Sequence, residues 1–224
     1  MIKNISNLGD AALYCDFGTE INKQINSEVI KYFNAIKENN IEGINNLTPS
    51  YNKLIVSYDL RITNFKEIKD EIEKLDVGES IKTKNKKLEI PVCCDASFSL
   101  DKERLEKKLN LTREKILENF FNKEFFCYMT GFIAGMPFLG DLDENMRAQR
   151  LETPRVKVPK GSVGITEQFA NIYTFESPGG WNIIGNTPLE VFDSSKEIEP
   201  NLINPGDTVK FKQITLEKYK NYNE

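Results

Sequence analysis

The stretch from Cys127 to Asp193 constrains the fold most, because its turn-forming residues leave no room for a long helix. Glycine or proline recurs along it, and the intervening segments are short and rich in β-branched or aromatic residues. Short strands separated by such turns are typical of a β-barrel or a β-sandwich. The strands are predicted at residues 156–158, 162–165, 171–175 and 182–184.

The overall composition is typical of a soluble globular protein, with 39% hydrophobic and 29% charged residues in a chain of 224. Its formal net charge of −4 argues against a nucleic-acid-binding face over the whole chain. The sequence has no run of the ~18 apolar residues needed for a membrane span, and its first residues lack the apolar core of a signal peptide. We therefore expect a cytoplasmic protein that binds neither nucleic acid nor membrane.

Histidine is absent from the chain, which excludes several kinds of active site. No imidazole can act as the base of a Ser-His or Cys-His pair, and a zinc site without histidine is disfavoured. The cysteines at positions 15, 93, 94 and 127 lie in apolar, strand-like contexts and are predicted to be reduced and buried. Adjacent Cys93 and Cys94 point to opposite faces of a strand, so they are poorly placed to chelate one ion. We predict no metal site.

Residues 1–87 are predicted to form a ferredoxin-like domain. Apolar residues alternate in some segments and recur with helical spacing in others, in the order β-α-β-β-α-β. With right-handed crossovers, this order gives an antiparallel sheet with two helices on one face. The helices are predicted to begin near residues 26 and 64, and the strands to cover residues 11–17, 41–47, 54–58 and 88–92. Many unrelated functions use this fold, so it decides no function.

Residues 88–224 are predicted to form a second domain, a β-barrel preceded by two short helices between residues 100 and 121. Beyond the turn-rich stretch, strands are predicted at residues 189–192 and 208–211. The tail from Glu217 is polar and is predicted to fray. The predicted fold class is therefore α+β.

Three cationic side chains, Arg150, Arg155 and Lys157, form the strongest candidate for a binding site. Alternation along an extended run sends Arg155 and Lys157 to one face of the strand. Arginine can grip a carboxylate or phosphate through two parallel hydrogen bonds. The segment is interpreted as a site for an acidic substrate or a phosphorylated intermediate. The alternative is a solvated barrel surface with ordinary salt bridges.

Two glycine-containing turns are candidates for an anion-binding nest of backbone N–H groups. They are Lys160-Gly161-Ser162 and Ser177-Pro178-Gly179-Gly180. Ser162 is a candidate nucleophile with Lys160 as its base, since no histidine is present. The alternative is that glycine supplies the backbone conformations with which the strands close the barrel.

Aromatic and acidic residues supply two further candidates. Tyr173 and Trp181, the only tryptophan, are interpreted either as lining a ligand cleft or protein contact or as filling a core. Asp141, Asp143 and Glu144 lie in one loop, where carboxylates can bind a divalent cation or act as a base. Their spacing does not follow the EF-hand pattern, so ordinary loop acidity is the alternative.

Four motifs in order resemble the family of the 5-oxoprolinase B subunit, also called allophanate hydrolase subunit 1, which includes a sporulation kinase inhibitor. The family's motifs run approximately GFxPGFxYL, PRxxxPRxxVPxGSV, IYPxxSPGGWxxIGRTP and PGDxVxF. The chain departs from this pattern at Asn186, where the family has arginine, and near Phe120, where it has histidine. The matching residues are Gly131-Phe132, Gly135, Leu139, Arg150, Pro154-Arg155, Val158-Pro159, Gly161-Ser162-Val163, Ile172-Tyr173, Ser177-Pro178-Gly179-Gly180-Trp181, Ile184-Gly185, Thr187-Pro188 and Pro205-Gly206-Asp207.

The resemblance implies that the second domain is a cyclophilin-like β-barrel and that the chain is the B subunit of an ATP-dependent 5-oxoprolinase. Such an enzyme opens the cyclic amide 5-oxoproline to glutamate with ATP cleavage, and its B subunit works with a C subunit, which is allophanate hydrolase subunit 2-like, and with an A subunit. ATP with magnesium is expected as a substrate, with no tightly bound cofactor and no turnover by this chain alone. The alternatives are a regulatory protein that inhibits a histidine kinase, or a component of urea or allophanate degradation.

The residues and the resemblance together yield a predicted site. Since no complete ATP motif such as a P-loop is visible, we expect the site to be completed by the partner subunit. The predicted catalytic residues are Arg155, Lys157 and Ser162. The predicted substrate- or nucleotide-binding residues are Arg150, Phe132, Gly161, Tyr173, Gly179, Gly180 and Trp181.

Overall fold

The structure, a computed structural model, describes residues 1–77 and 85–222. The chain divides into two compact units, Met1–Lys84 and Asn85–Glu224, each with its own buried apolar core. The division thus lies after residue 84, whereas the sequence analysis placed it after residue 87. None of the helices in the described ranges is long and apolar enough to cross a membrane.

The first unit is a four-stranded antiparallel sheet packed against two helices. Alternate strand residues and the apolar stripes of both helices meet in one core. Asn22 caps the first helix, which therefore begins earlier than predicted, and Asn64 caps the second. The elements are β1 (Asn4–Asn7), β2 (Ala12–Asp16), α1 (Lys23–Asn39), β3 (Ile44–Pro49), β4 (Lys53–Tyr58) and α2 (Phe65–Lys74), with the strands in the order β1-β2-β4-β3.

The predicted ferredoxin-like domain is not confirmed, because the last strand of its βαββαβ order lies in the second unit. That strand is β5 (Lys87–Cys93), which pairs in parallel with a strand near the other end of the chain. The edge of the first sheet beside β2 is occupied instead by β1, which the prediction omitted. Local alternation identifies a strand but not the strand with which it pairs.

The second unit contains a closed barrel of seven strands, which confirms the predicted α+β class with a β-barrel. Neighbouring barrel strands are antiparallel, except for the parallel pair at β5. Besides β5, the barrel strands are β6 (Glu124–Thr130), β7 (Pro137–Gly140), β9 (Ser162–Thr166), β10 (Phe169–Ile172), β12 (Asn182–Asn186) and β13 (Thr208–Ile214). Two further strands, β8 (Arg155–Val158) and β11 (Ser177–Gly179), form a separate two-stranded ribbon.

Two helices pack against the barrel at the positions that the sequence predicted. They are α3 (Lys102–Leu109) and α4 (Arg113–Asn122). Phe120 of α4 stacks on Phe211 of β13, with 4.8 Å between ring centroids. Leu105 of α3 is buried in the same apolar core. Helix α3 also contacts β12, the barrel strand that begins directly after Trp181.

Two predictions near the carboxyl end are wrong. Residues 189–192 do not form a strand, since they contribute only one isolated bridge. The tail does not fray at Glu217, because it forms a short helix, α5 (Leu216–Lys220). Tyr219 anchors this helix by packing its ring against Phe98, at 4.6 Å between centroids. Tertiary contacts of this kind order a segment whose own sequence is mostly polar.

Candidate functional site

The ribbon of β8 and β11 covers a small apolar cluster that is separate from the barrel core. Across the ribbon, Gly179 faces Arg155 and Ser177 faces Val158. Val158 is completely buried and belongs to the same cluster as Tyr173, which follows the end of β10. The ribbon therefore brings the cationic strand and the glycine turn to the side of the barrel where Tyr173 lies.

Arg155 is held at one nitrogen of its guanidinium and unpaired at another. Its Nη2 donates to Oδ1 of Asp101 at 2.5 Å, and Asp101 is 4% exposed. The other carboxylate oxygen of Asp101 accepts the backbone N–H of Ile183 at 2.7 Å. Nη1 of Arg155 is buried and has no hydrogen-bond partner within the described ranges. Because buried donors are nearly always satisfied, this nitrogen is a candidate contact for a ligand.

Arg150 lies against the glycine pair of the turn. Its guanidinium nitrogens are 3.3 Å from the position of a Cβ added to Gly180. The arginine ion pairs among the described residues are those of Arg61 and Arg155, so Arg150 keeps an unpaired charge. The backbone of Arg150 is held from α3, where Nη2 of Arg104 donates to its carbonyl at 3.4 Å. A ligand with negative charge is therefore favoured beside the turn.

Tyr173 places a buried hydroxyl beside the glycine turn. The residue is 1% exposed, and its Oη lies 2.1 Å from the position of a Cβ added to Gly179. Burial raises the pKa of this hydroxyl, while the nearby Asn171 side chain, the backbone of Trp181 and the charges of Arg150 and Arg155 act in the opposite direction. Within residues 1–77 and 85–222, no group meets the hydroxyl with hydrogen-bond geometry. The neutral hydroxyl remains a potential donor.

Five of the predicted residues thus lie around one turn, and together they offer positive charge and hydrogen-bond donors. An oxyanion, a carboxylate or a phosphate is the class of ligand that such a set of groups stabilises. Their binding roles stay predictions. The five residues are Arg150, Arg155, Tyr173, Gly179 and Gly180.

This arrangement occurs in a chain with clear relatives. The family model described as carboxyltransferase domain, subdomain C and D, matches residues 3–203. The chain belongs to this family. It is 34% identical to the 5-oxoprolinase B subunit of Bacillus subtilis, over 98% of this chain and 96% of that protein. The predicted family resemblance is therefore confirmed.

Two more distant likenesses extend the comparison. The crystal structure of TTHA0988 covers 92% of this chain with a TM-score of 0.82 and 27% identity, and the match spans 40% of that longer chain. The urea amidolyase of Saccharomyces cerevisiae is 21% identical over 93% of this chain, but the match spans only 13% of that protein. The family fold is thus found both in proteins of this length and within longer ones.

Three other predicted residues have different surroundings. Trp181 is half-buried and packs edge-on against Phe138 at 5.6 Å, in the same apolar cluster as Tyr173. Phe132 is 72% exposed at a positive φ of 69°, and it lies in the loop between β6 and β7. Lys157 is exposed and pairs with Glu176 at 2.9 Å. Their assigned roles stay predictions, and the charge of Lys157 is already compensated.

The turn at Gly161 and Ser162 is occupied by structural hydrogen bonds. The N–H of Gly161 donates to the Tyr173 carbonyl at 2.7 Å, and the N–H of Ser162 donates to another backbone carbonyl at 3.2 Å. The proposed base, Lys160, pairs instead with Glu190 at 2.7 Å. This turn fits the alternative that glycine serves the backbone, with φ of 80° at Gly161. The catalytic role of Ser162 stays a prediction.

Asn186, where the family has arginine, is a structural residue in this chain. It is 4% exposed, and its Nδ2 donates to the Lys160 carbonyl at 2.9 Å. Its Oδ1 accepts the hydroxyl of Tyr219 at 2.7 Å. The asparagine therefore joins the Gly161 turn to helix α5, and its side chain is used in packing rather than offered to an anion.

The acidic loop does not gather its carboxylates around one point. The Asp141 carboxylate accepts the hydroxyl of Tyr128 at 2.9 Å, and Asp143 pairs with Lys123. Among the described residues, no group of three or more potential ligands is placed to hold a metal ion. These contacts fit the interpretation of ordinary loop acidity.

Sequence reasoning missed two residues that support the site, Asp101 and Arg104. Both lie at the start of α3, for which the sequence predicted only a short helix before the barrel. The available signal was Asp101 itself, since aspartate before a helix is typical of an N-cap. That pattern predicts a local cap, whereas the side chain bonds to Arg155 and Ile183.

Proposed function

We propose that this chain is the B subunit of an ATP-dependent 5-oxoprolinase, a cyclic amide hydrolase that is active only with its partner chains. The observation that carries the proposal is the charge of Arg150 beside Gly180, which has no ion-pair partner among the described residues, together with Arg155, which pairs across the ribbon with Gly179 and whose Nη1 is unpartnered there. The likeness to a 5-oxoprolinase B subunit over nearly the whole chain supplies the substrate class.

The chemistry explains why positive charge and donors are needed. The unstrained amide of 5-oxoproline resists water at neutral pH, and ATP can activate it. In the proposed first step the amide oxygen attacks the γ-phosphorus and ADP leaves. Water then adds to the ring carbon, the C–N bond breaks with proton transfer to nitrogen, and a second water releases phosphate from the resulting acyl phosphate. Arg150 and Arg155 would stabilise phosphate oxygens, as cationic groups do in phosphoryl transfer.

The group that activates water is expected to come from a partner chain. The chain has no histidine, and among the described residues Lys157 and Lys160 are both engaged in ion pairs, so neither of these two predicted groups is free to act as a general base. By the family resemblance the partners are the C and A subunits of 5-oxoprolinase, with ATP and magnesium as substrates and no tightly bound cofactor. We expect the water-activating group to come from one of these partners.

The test is reconstitution. The chain is purified alone, each partner alone, and then all combinations, and ATP hydrolysis dependent on 5-oxoproline is measured together with glutamate release. We expect turnover only from a mixture that contains this chain and its partners, with ADP and glutamate formed in equal amounts. Turnover by the isolated chain would refute the partner requirement, and a complete mixture without 5-oxoproline turnover would refute the substrate.

A second candidate, a role in urea or allophanate degradation, is favoured by the likeness to urea amidolyase over 93% of this chain. Both substrates contain the same N–C=O group, so the same donors would serve either. The reconstituted mixture is therefore assayed in parallel with urea and with allophanate. Inhibition of a histidine kinase, the third possibility, predicts instead that the kinase is captured from the source cell and the C and A subunits are not.

A further inference from the structure

The carboxylate of Asp101 is committed to tertiary contacts instead of to its own helix. Asp101 is the residue before α3, a position where aspartate normally accepts hydrogen bonds from the first helical N–H groups. No such bond is made within the described part of the chain, and the carboxylate accepts from Arg155 at 2.5 Å and from the Ile183 N–H at 2.7 Å. Loss of the local cap indicates that the side chain serves another purpose.

Backbone bonds fix the position of this carboxylate. The N–H of Asp101 donates to the Ile183 carbonyl at 3.2 Å, so Asp101 and Ile183 bond to each other in both directions. Ile183 lies within β12, a strand of the closed barrel. The acceptor that meets Arg155 is therefore anchored to a strand of the closed barrel.

An anchored acceptor also sets the direction of the remaining donors on Arg155. The guanidinium is planar, so holding Nη2 determines where Nη1 points. Nη1 is buried and has no partner among the residues that the structure describes, while the side chain as a whole is 26% exposed. The Asp101 charge also compensates much of the Arg155 charge, whereas Arg150 has no ion-pair partner in the described ranges.

We propose that Asp101 is a positioning residue, which holds Arg155 so that Nη1 is a pre-oriented donor to the ligand. This inference rests on the proposed function, in which the ligand is an amide or phosphate oxygen of the reacting substrates. In this arrangement Arg150 supplies net positive charge, and Arg155 supplies a hydrogen-bond donor that already points toward the ligand. Preorganised donors of this kind act without reorientation during the reaction.

The experiment is a double-mutant cycle in the reconstituted complex, with the variants Asp101→Asn, Arg155→Met and the double substitution. We expect Asp101→Asn to lower kcat/KM by about tenfold or more, and to have less than about a twofold effect when Arg155 is already methionine. Asp207→Asn is the matched control, because Asp207 is 3% exposed and accepts two backbone N–H groups away from the ribbon. Additive losses for Asp101 and Arg155 would overturn the proposal.

A second variant tests the proposal even if Asp101→Asn does not fold. Arg155→Lys keeps the charge but not the planar fork, and it changes a partly exposed residue. If direction is the role of Arg155, this variant loses about as much kcat/KM as Arg155→Met. Activity close to that of the wild type in Arg155→Lys would overturn the proposal, since charge alone would then suffice.

The same variants separate this inference from the proposed function. Trp181, the only tryptophan of this chain, lies next to Gly180, and its fluorescence is followed as the signal for ligand binding. Inorganic phosphate and 5-oxoproline are titrated separately into the complex. If the wild-type complex has no 5-oxoproline turnover, the proposed function fails while the phosphate titration still decides the positioning role. Equal phosphate affinity in the wild type and in Asp101→Asn would then overturn it.

Discussion

The hydroxyl oxygen of Tyr173 lies 2.1 Å from the position that a Cβ on Gly179 would occupy. The requirement for glycine at residue 179 is therefore steric, because the ring of Tyr173 fills the space above the ribbon. A Cβ on the neighbouring Gly180 would meet the movable guanidinium of Arg150 at 3.3 Å and the Leu151 carbonyl at 3.6 Å, which is an ordinary van der Waals distance. Of these two adjacent glycines, residue 179 has no space for a side chain, whereas residue 180 has space for a methyl group if the Arg150 side chain moves slightly.

Gly179→Ala is expected to destabilise the protein by about 1–3 kcal/mol, since a buried ring must move. Tyr173→Phe removes the closest atom and should recover part of this loss in the double variant. Gly180→Ala, the matched control, should change the free energy of unfolding by less than about 0.5 kcal/mol. Urea denaturation of Gly179→Ala, Tyr173→Phe, the double variant and Gly180→Ala measures these differences. Equal destabilisation at both glycines would contradict the steric explanation.

Arg150→Met is expected to lower kcat/KM of the reconstituted complex by about 100-fold with little change in stability. The reason is that its guanidinium is unpaired among the described residues and contributes charge rather than packing. Arg61→Met is the control, because Arg61 is an exposed arginine of the first unit that pairs with Asp59. Steady-state kinetics and thermal melting are measured on both variants. Unchanged kinetics in Arg150→Met would remove this residue from the site.

Stability should fall as the pH rises above about 8.5, because two buried thiols resist ionisation. Burial raises the pKa of Cys15 to about 12, and chiefly burial raises that of Cys94 to about 12. A folded-state pKa above the unfolded value contributes stability that is complete below the unfolded pKa and is lost as pH increases. Each thiol adds a slope approaching about 1.4 kcal/mol per pH unit.

Urea midpoints measured at pH 7, 8, 9 and 10 check this dependence. Cys15→Ala lowers stability at pH 7 by leaving a cavity, but it should also flatten the decline of the first unit above pH 9. If the decline is equally steep without this thiol, the pH dependence has another origin.

Tyr219→Phe is expected to destabilise the second unit by about 1 kcal/mol, because buried Asn186 loses the hydroxyl donated at 2.7 Å. Helix α5 should then open more often, so limited trypsin digestion at Lys218 or Lys220 should accelerate. The control is Tyr222→Phe, since Tyr222 is 42% exposed. Equal cleavage rates for the two variants would show that the bond to Asn186 does not hold the helix.

Much of the second unit was predictable because its signals are local. The turn residues between Cys127 and Asp193 divide the chain into strands, and β9 and β12 lie close to their predicted positions. The predicted strand at 156–158 also exists as part of β8, but it belongs to the ribbon rather than to the barrel. Alternation reports which residues are half-buried, and it does not report the sheet to which they belong.

The candidate site was predictable only in part. The motifs identified Arg150, Arg155 and the glycine turn, whereas Lys157 was grouped with them on strand alternation although it pairs with Glu176. The role of Asp101 was not predicted, because more than fifty residues separate it from Arg155, the arginine that it holds. A contact between distant residues produces no periodic pattern in the sequence. An aspartate before a helix also has the same sequence signature whether its carboxylate caps that helix or bonds elsewhere.

By itself, the sequence determined the family, the barrel with its short strands, and the exclusion of histidine chemistry. These follow from residue types and from spacings of a few residues, which act through local backbone preferences. The tertiary structure decided that β5 joins the barrel, that α5 is ordered by Tyr219, and that Asp101 holds Arg155 while Arg150 has no ion-pair partner in the part of the chain that the structure describes. Each of these depends on which distant surfaces meet, and that is decided by burial of the whole apolar core rather than by any one segment.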